Sequence, residues 1–300
     1  MSEKSWALLE LLRWTTAYLT EKAVPEPRLT AELLLAGALR LKRLDLYLQF
    51  DRPLRPEELA DFKARLRRRV KREPLQYIEG EAAFRELRLQ VDPRVLIPRP
   101  ETELLVGEVL RWADGRPGLD VLDVGTGSGA IALSLAVEGR FSRVVASDLS
   151  ADALAMATMN YARIAPETPV EFREGNVYDP VRGESFDVVV SNPPYVALEE
   201  SMALGPEVRE WEPHAALFAG STGLDVLREL IRGAPGMLKP GGLFALEIGA
   251  SQAPAVVEMI RGTAGFRPPR VSRDLAGRDR MVLTEFAGSR HRPLHHGSTD

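Results

Sequence analysis

From Leu119 onward, short apolar runs rich in β-branched residues alternate with stretches of helical periodicity, an alternation that few folds accommodate. Leu119–Val124, Arg143–Asp148, Val170–Glu174, Asp187–Ser191 and Gly242–Glu247 read as strands, with helices over 130–136, 151–164 and 222–234 and another from Gln252. Apolar strands joined by helices belong in a parallel sheet covered on both faces. Two further strands, around 266–271 and over 280–286, complete the sheet. In such a sheet the C-terminal ends of the strands share one edge, where ligands bind. Residues 125–129, Asp148, Asn176 and Asn192 should therefore line a single crevice, and Glu247-Ile-Gly249 ends its strand on the same edge.

Two of these strand ends carry chemistry. Gly125-Thr126-Gly127-Ser128-Gly129 joins the first strand to its helix, and glycines there permit a tight turn and let a ligand approach the backbone. Asp148, about 20 residues on, is placed to take ribose hydroxyls, which implies an adenine nucleoside. Gly125, Gly127 and Ala130 also satisfy the loose dinucleotide pattern, so a nicotinamide cofactor stays open on the glycines alone. Asp123, just before the loop, suits an ammonium or sulfonium better than a pyrophosphate. The second end is Asp187-Val-Val-Val-Ser-Asn192-Pro193-Pro194-Tyr195. The two prolines fix φ and lack N–H, so the backbone offers only carbonyl acceptors beside the Asn192 amide. A planar substrate NH₂ could donate to the Asn192 side-chain oxygen and to the Pro193 carbonyl, with the Tyr195 ring stacked on its face. A plain strand-ending turn is the alternative, since Asn and Pro are common turn formers. The apolar strand before the corner and the aromatic after it favour a site.

At 300 residues, 45% of them hydrophobic, the chain has room for one large domain and a smaller one. The absence of cysteine excludes disulfides, thiolate metal sites and a cysteine nucleophile, and no metal is expected. No apolar run approaches the roughly 20 residues that span a bilayer, and the start carries no signal-peptide core, so a cytoplasmic protein with no membrane partner is expected. A net charge of −4 argues against wholesale phosphate binding, and nucleic acid is not the expected partner. Residues 1–72 read as a helical domain: Leu8, Leu12, Thr15 and Leu19 share one helix face, a second helix covers 30–40, and a third starts at Pro56. Leu59, Phe62, Leu66 and Val70 of the third face inward, opposite Lys63, Arg65, Arg67, Arg68, Lys71 and Arg72. That basic run is either a docking surface or a solvated helix face, and the latter is favoured. Leu44, Leu46, Leu48 and Phe50 alternate with period two, locally a strand pattern. Residues 73–102 read as a hairpin (Phe84, Leu87, Leu89, Val91) and a Pro-rich connector, after which Glu101 or Thr102 opens a helix. The catalytic domain then occupies 103–287, and a tail over 288–300, with His295 and His296, is expected to be disordered.

Taken together, Leu75–Gly80, Val95–Glu103, Asp123–Ala132, Ser191–Val196, Glu212–Leu217, Glu247–Gly249 with Gln252, and Gly277–Arg280 resemble the HemK/PrmC family of protein-(glutamine-N5) methyltransferases. The Pro-Arg-Pro-Glu-Thr-Glu block followed by Asn-Pro-Pro-Tyr is the specific part of the resemblance. It implies an α/β fold: a seven-stranded Rossmann-like S-adenosylmethionine-dependent methyltransferase domain, with an antiparallel last strand, behind a small N-terminal helical domain. It implies S-adenosyl-L-methionine as cofactor, held by Asp123, Gly125, Thr126, Gly127, Ser128, Gly129, Asp148, Asn176, Val177 and Asn192. It also implies the Gly-Gly-Gln glutamine of class 1 peptide-chain release factors as substrate, held by Asn192, Pro193, Pro194 and Tyr195, which double as the catalytic residues. The enzyme is expected to act as a monomer. Asn176 departs from the acidic residue common in the family, which leaves its part in holding adenine open, although an Asn oxygen can still accept from the adenine NH₂. The rival readings are an adenine-N6 nucleic-acid methyltransferase and a non-catalytic S-adenosylmethionine-binding adaptor.

Overall fold

The computed structural model describes residues 6–288. The tail expected from 288 lies, from 289 on, outside the described residues. The chain forms two compact units, one of residues up to Glu81 together with Leu204–Trp211, the other of Ala82–Ala203 and the chain from Glu212 on. The boundary falls inside the 73–102 stretch, and nothing in the sequence assigns 204–211 to the first unit. Among the described residues no helix is long and apolar enough to cross a membrane.

The first unit is helical: α1 (Leu8–Glu21), α2 (Pro27–Leu39), α3 (Pro56–Val70), α4 (Leu75–Glu79) and the short helix Pro206–Trp211. Leu8, Leu12, Leu19, Leu34, Leu35, Leu46 and Phe62 form its core. Pro56 occupies the first turn of α3, where its missing N–H costs nothing, and the Glu58 carboxylate accepts from the Arg55 N–H at 3.0 Å. The expected strand at 44–50 is instead a 3-10 turn over Arg43–Leu48, with Leu46 buried and Leu44 and Leu48 exposed. Asp45 accepts from the Lys42 N–H at 3.2 Å and Tyr47 donates to Glu32, so local polar contacts win over the period-two pattern. Much of the basic run on α3 is paired within the unit. Arg65 meets Asp61 and Glu79, Arg68 grips Glu73, and Arg72 and the buried Arg69 meet both oxygens of Glu207 at 3.0 and 2.9 Å. Lys63, Arg67 and Lys71 have no such partner among the described residues.

The hairpin β1 (Glu81–Phe84) and β2 (Leu87–Gln90), which belongs to the second unit from Ala82 on, is followed by α5 (Pro100–Ala113). Its sheet contains β3 (Leu119–Val124), β4 (Phe141–Asp148), β5 (Val170–Glu174), β6 (Phe186–Ser191), β7 (Leu238–Glu247), β8 (Arg270–Arg273) and β9 (Asp279–Glu285), in the order β5-β4-β3-β6-β7-β9-β8. The first five pair parallel, and β9 runs antiparallel to both β7 and β8. Strand β8 lies later than 266–271; Phe266 makes only an isolated bridge to Phe286. Successive residues of β3, β4 and β6 enter opposite cores. Val121, Val144 and Val188 pack on one face, and Leu122, Val145 and Val189 on the other, all of them fully buried. Helices α6 (Ala130–Glu138) and α7 (Ala151–Ile164) follow β3 and β4. Order reverses between β3 and β6, the switch point at which a parallel sheet opens a crevice beyond its strand ends.

Candidate active site

The register places the expected residues on one edge of the sheet. Val124 pairs with Ser147 on one side and Ser191 on the other, and Asp148 pairs with Glu174, so the loop at 125–129, Asp148, Asn176 and Asn192 all follow adjacent strand ends. Gly125 and Gly127 adopt φ of 74° and 56°, and a Cβ on either would meet no atom within 4 Å. The loop backbone thus faces open space, as a ligand cradle requires. Asp148 closes it from the next strand: its Oδ2 accepts from the Gly127 N–H at 2.8 Å and its Oδ1 from the Ser150 N–H at 2.9 Å. Burial raises the Asp148 carboxyl above its ordinary value, against these backbone donors. Each oxygen keeps a lone pair for a hydroxyl.

Asp123 lies beneath the loop, fully buried. Thr126 Oγ1 donates to its Oδ2 at 2.7 Å and the Ala132 N–H at 3.1 Å, while Oδ1 has no hydrogen-bond partner. Burial pushes this carboxyl up to about 7. A buried carboxylate with a vacant acceptor beside an open glycine loop suits a cationic ligand, and S-adenosylmethionine carries both an ammonium and a sulfonium. Asn160 on α7, which the sequence does not single out, is fully buried and donates to the Ser128 carbonyl at 2.9 Å while bonding the backbone of Gln90 on β2. It braces the loop against the hairpin. Asn176 is exposed and donates to Glu229 at 3.0 Å, which brings a carboxylate beside it; Val177 is buried with φ of 42°.

At the end of β6, Asn192 is half-buried, Pro193 buried, and Pro194 and Tyr195 half-buried. The Asn192 Nδ2 donates to Thr102 Oγ1 at 2.9 Å, leaving Oδ1 without a partner among the described residues. Thr102, in the first turn of α5, donates to Glu247 Oε2 at 2.6 Å, and the Tyr195 hydroxyl donates to Glu247 Oε1 at 3.2 Å. Glu247 ends β7 with no exposure, and burial pushes its carboxyl up to about 7 despite Arg280 nearby. Burial likewise raises the Tyr195 phenol. Gln252 fixes the far side of the corner, donating to the Tyr195 and Gly223 carbonyls at 2.9 and 3.2 Å. Gly223 is obligatory there, since a Cβ would sit 2.2 Å from the Tyr195 carbonyl oxygen. The buried Glu212 accepts from Arg99 at 2.6 Å and from the Ile97 N–H at 3.3 Å, so the Pro-rich block is held by side chains.

Fold and crevice together define a class: the Rossmann-like S-adenosylmethionine-dependent methyltransferases, in an α/β unit preceded by a helical one. Residues 101–206 match the family model described as the methyltransferase small domain, and residues 10–80 match the PrmC N-terminal domain. The fold is shared with a methyltransferase of known structure from Pyrococcus furiosus (TM-score 0.52, 20% identity, 76% of this chain and 99% of that one). The release factor glutamine methyltransferase of Geobacter sulfurreducens is 45% identical over 284 residues, 94% of this chain and 98% of that protein. That of Chlorobaculum tepidum is 42% identical over 287 residues, 93% and 97% respectively. The chain belongs to the family of release factor glutamine methyltransferases.

Proposed function

We propose that this enzyme methylates the side-chain N5 of the glutamine in the Gly-Gly-Gln motif of class 1 peptide-chain release factors, with Asn192–Tyr195 holding the amide. The observation that carries the reading is the polarity of the corner: Asn192 spends its NH₂ on Thr102 and keeps its acceptor free. Asp123, Gly125–Gly129, Asp148, Asn176 and Val177 are the residues that would hold S-adenosylmethionine, which supplies, when bound, a methyl group on a positively charged sulfur.

An amide nitrogen is a poor nucleophile because its lone pair is delocalised into the carbonyl. Asn192 Oδ1 and the Pro193 carbonyl accept its two N–H bonds and stabilise positive charge on the nitrogen as it rehybridises, a preorganised electrostatic effect. The prolines hold both acceptors in place, and Tyr195, tied to Glu247 and Gln252, covers the amide and aligns it. One N–H proton then leaves through an acceptor carbonyl or water. The corner can read only the amide tip, so the helical unit is proposed to grip the rest of the release factor. On α3 the cations open to a partner are Lys63, Arg67 and Lys71, because Arg65, Arg68 and Arg72 are engaged within the unit.

The test is transfer of labelled methyl from S-adenosylmethionine, offered intact release factor and RNA or DNA in parallel, followed by peptide mapping. Label on the Gly-Gly-Gln glutamine is expected. Label on nucleic acid, or none, would overturn the reading in favour of the adenine or adaptor alternative.

A further inference from the structure

Two members of the hydrogen-bond chain Asn192–Thr102–Glu247–Tyr195, the buried Thr102 and Glu247, belong to neither the cofactor loop nor the acceptors that touch the amide. Glu247 is fully buried, and both of its oxygens are engaged: Oε2 accepts the Thr102 hydroxyl at 2.6 Å and Oε1 the Tyr195 hydroxyl at 3.2 Å. Above about pH 7, where Glu247 is ionised, its carboxylate only accepts, so Thr102 must commit its single proton to Glu247. The Thr102 oxygen then has only lone pairs to offer Asn192. If the Asn192 amide turned over, its oxygen would face that oxygen with no proton between them. The NH₂ must face Thr102, as the 2.9 Å contact records, and Oδ1 must lie on the other branch of the amide plane.

We infer that Thr102 and Glu247 are positioning residues that set the orientation of the Asn192 amide, so that the corner presents an acceptor and not a donor to the substrate nitrogen. The Tyr195 end of the chain works alike: by accepting the phenol O–H, Glu247 fixes the height of the ring at the edge of the corner. The inference rests on the proposed function for its catalytic consequence, but the orientation itself is a property of the free chain. Arg280 on β9 and Glu101 on α5 are the charged groups that bear on Glu247 from the neighbouring elements, one favouring and one opposing its ionised form.

The test, run at pH 8 where Glu247 is ionised, compares the full chain with Thr102→Val, which keeps the shape and removes the hydroxyl, and Thr102→Ser, which keeps the hydroxyl. In the free protein, hydrogen exchange of the Asn192 side-chain amide, followed by NMR, should be slow in the unmodified chain and in Thr102→Ser, and faster in Thr102→Val. With saturating cofactor and release factor, Thr102→Val should lose about 10–100-fold in kcat, the size of one charge-assisted hydrogen bond, with cofactor affinity unchanged and Thr102→Ser near normal. Slow exchange retained in Thr102→Val overturns the relay. So does a loss of cofactor affinity equal to the loss of kcat, which would mark a general structural role. An unmodified chain inactive on release factor would overturn the proposed function alone, since the exchange measurement decides the relay on the free protein.

Discussion

Glu32 and Glu58 of the helical unit and Asp123 and Glu247 of the catalytic unit are buried in opposite ways. In the helical unit, Glu32 accepts from Arg28 at 3.0 Å, Arg43 at 2.7 Å and the Tyr47 hydroxyl, and Glu58 from Arg52 and from Arg55 at 2.7 Å. These donors hold both carboxyls below the ordinary value of 4.5, against the opposing pull of burial. In the catalytic unit, Asp123 and Glu247 are as deeply buried but are bonded only by hydroxyls and one backbone N–H. Burial then dominates and pushes each up to about 7. Glu32 and Glu58, matched by arginine, are staples. Asp123 lies beneath the open glycine loop and Glu247 beside the Asn192 corner, and carboxyls perturbed in this way are candidates for functional sites.

The contrast has a sign in pH. Glu32 and Glu58 bind protons more weakly when folded, so the stability they contribute is present above pH 4.5 and is lost as pH falls through their depressed values. Asp123 and Glu247 bind protons more tightly when folded. The stability they cost is fully present above about 7, shrinks as pH falls from there toward their ordinary values of 3.8 and 4.5, and is gone below.

The largest expected effect that separates the two kinds of acid is Glu32→Ala. It should destabilise the chain by about 2–3 kcal/mol in urea unfolding at pH 7, less than a fully buried pair because Arg28 and Arg43 remain half in water. Cofactor affinity should be unaffected; a parallel loss of binding would erase the distinction. Asp148→Ala should do the reverse, weakening S-adenosylmethionine binding by about 1.5–3 kcal/mol through the lost charge-assisted bonds. Calorimetric titration with this cofactor and with NAD reads the effect, and tight NAD binding by the unmodified chain would contradict the cofactor assignment. The smallest effect is that of Glu247→Gln, which cannot ionise. It should raise Tm at pH 8 by a few degrees, roughly 1 kcal/mol in a domain of this size, and the gain should vanish at pH 4.5. A Tm gain of the same size at both values would mean that Glu247 is not the raised group.

The catalytic half of the fold is legible in the sequence because β3, β4 and β6 carry apolar runs rich in valine, and the turns after β3 and β6 are glycine and proline clusters. Gly125–Gly129, Asp148 and Asn192 announce themselves by local spacing, and the sheet register brings them to one edge. The pairing of Thr102 with Glu247 does not, since it joins residues 145 positions apart: the Pro-Arg-Pro-Glu-Thr-Glu block and the Glu247–Gly249 strand end are each visible, but not the bond between them. Asn160 reads as one more polar position of a helix until its amide is seen under Ser128. The stretch at 44–50 misleads because alternation says nothing about whether a partner strand exists, and Asp45 and Tyr47 find local bonds instead. Residues 204–211 are illegible for a similar reason: the carboxylate of Glu207 matches Arg69 and Arg72 only once the helices are folded.

The role given to Asn192 is most directly tested by measuring kcat on intact release factor and S-adenosylmethionine affinity together in Asn192→Ala. The lost acceptor acts on the amide as charge develops, so kcat should fall about 10²–10³-fold while cofactor binding is largely spared. Near-normal kcat, or a fall in kcat explained wholly by lost cofactor affinity, would contradict the assignment of Asn192 to the glutamine nitrogen.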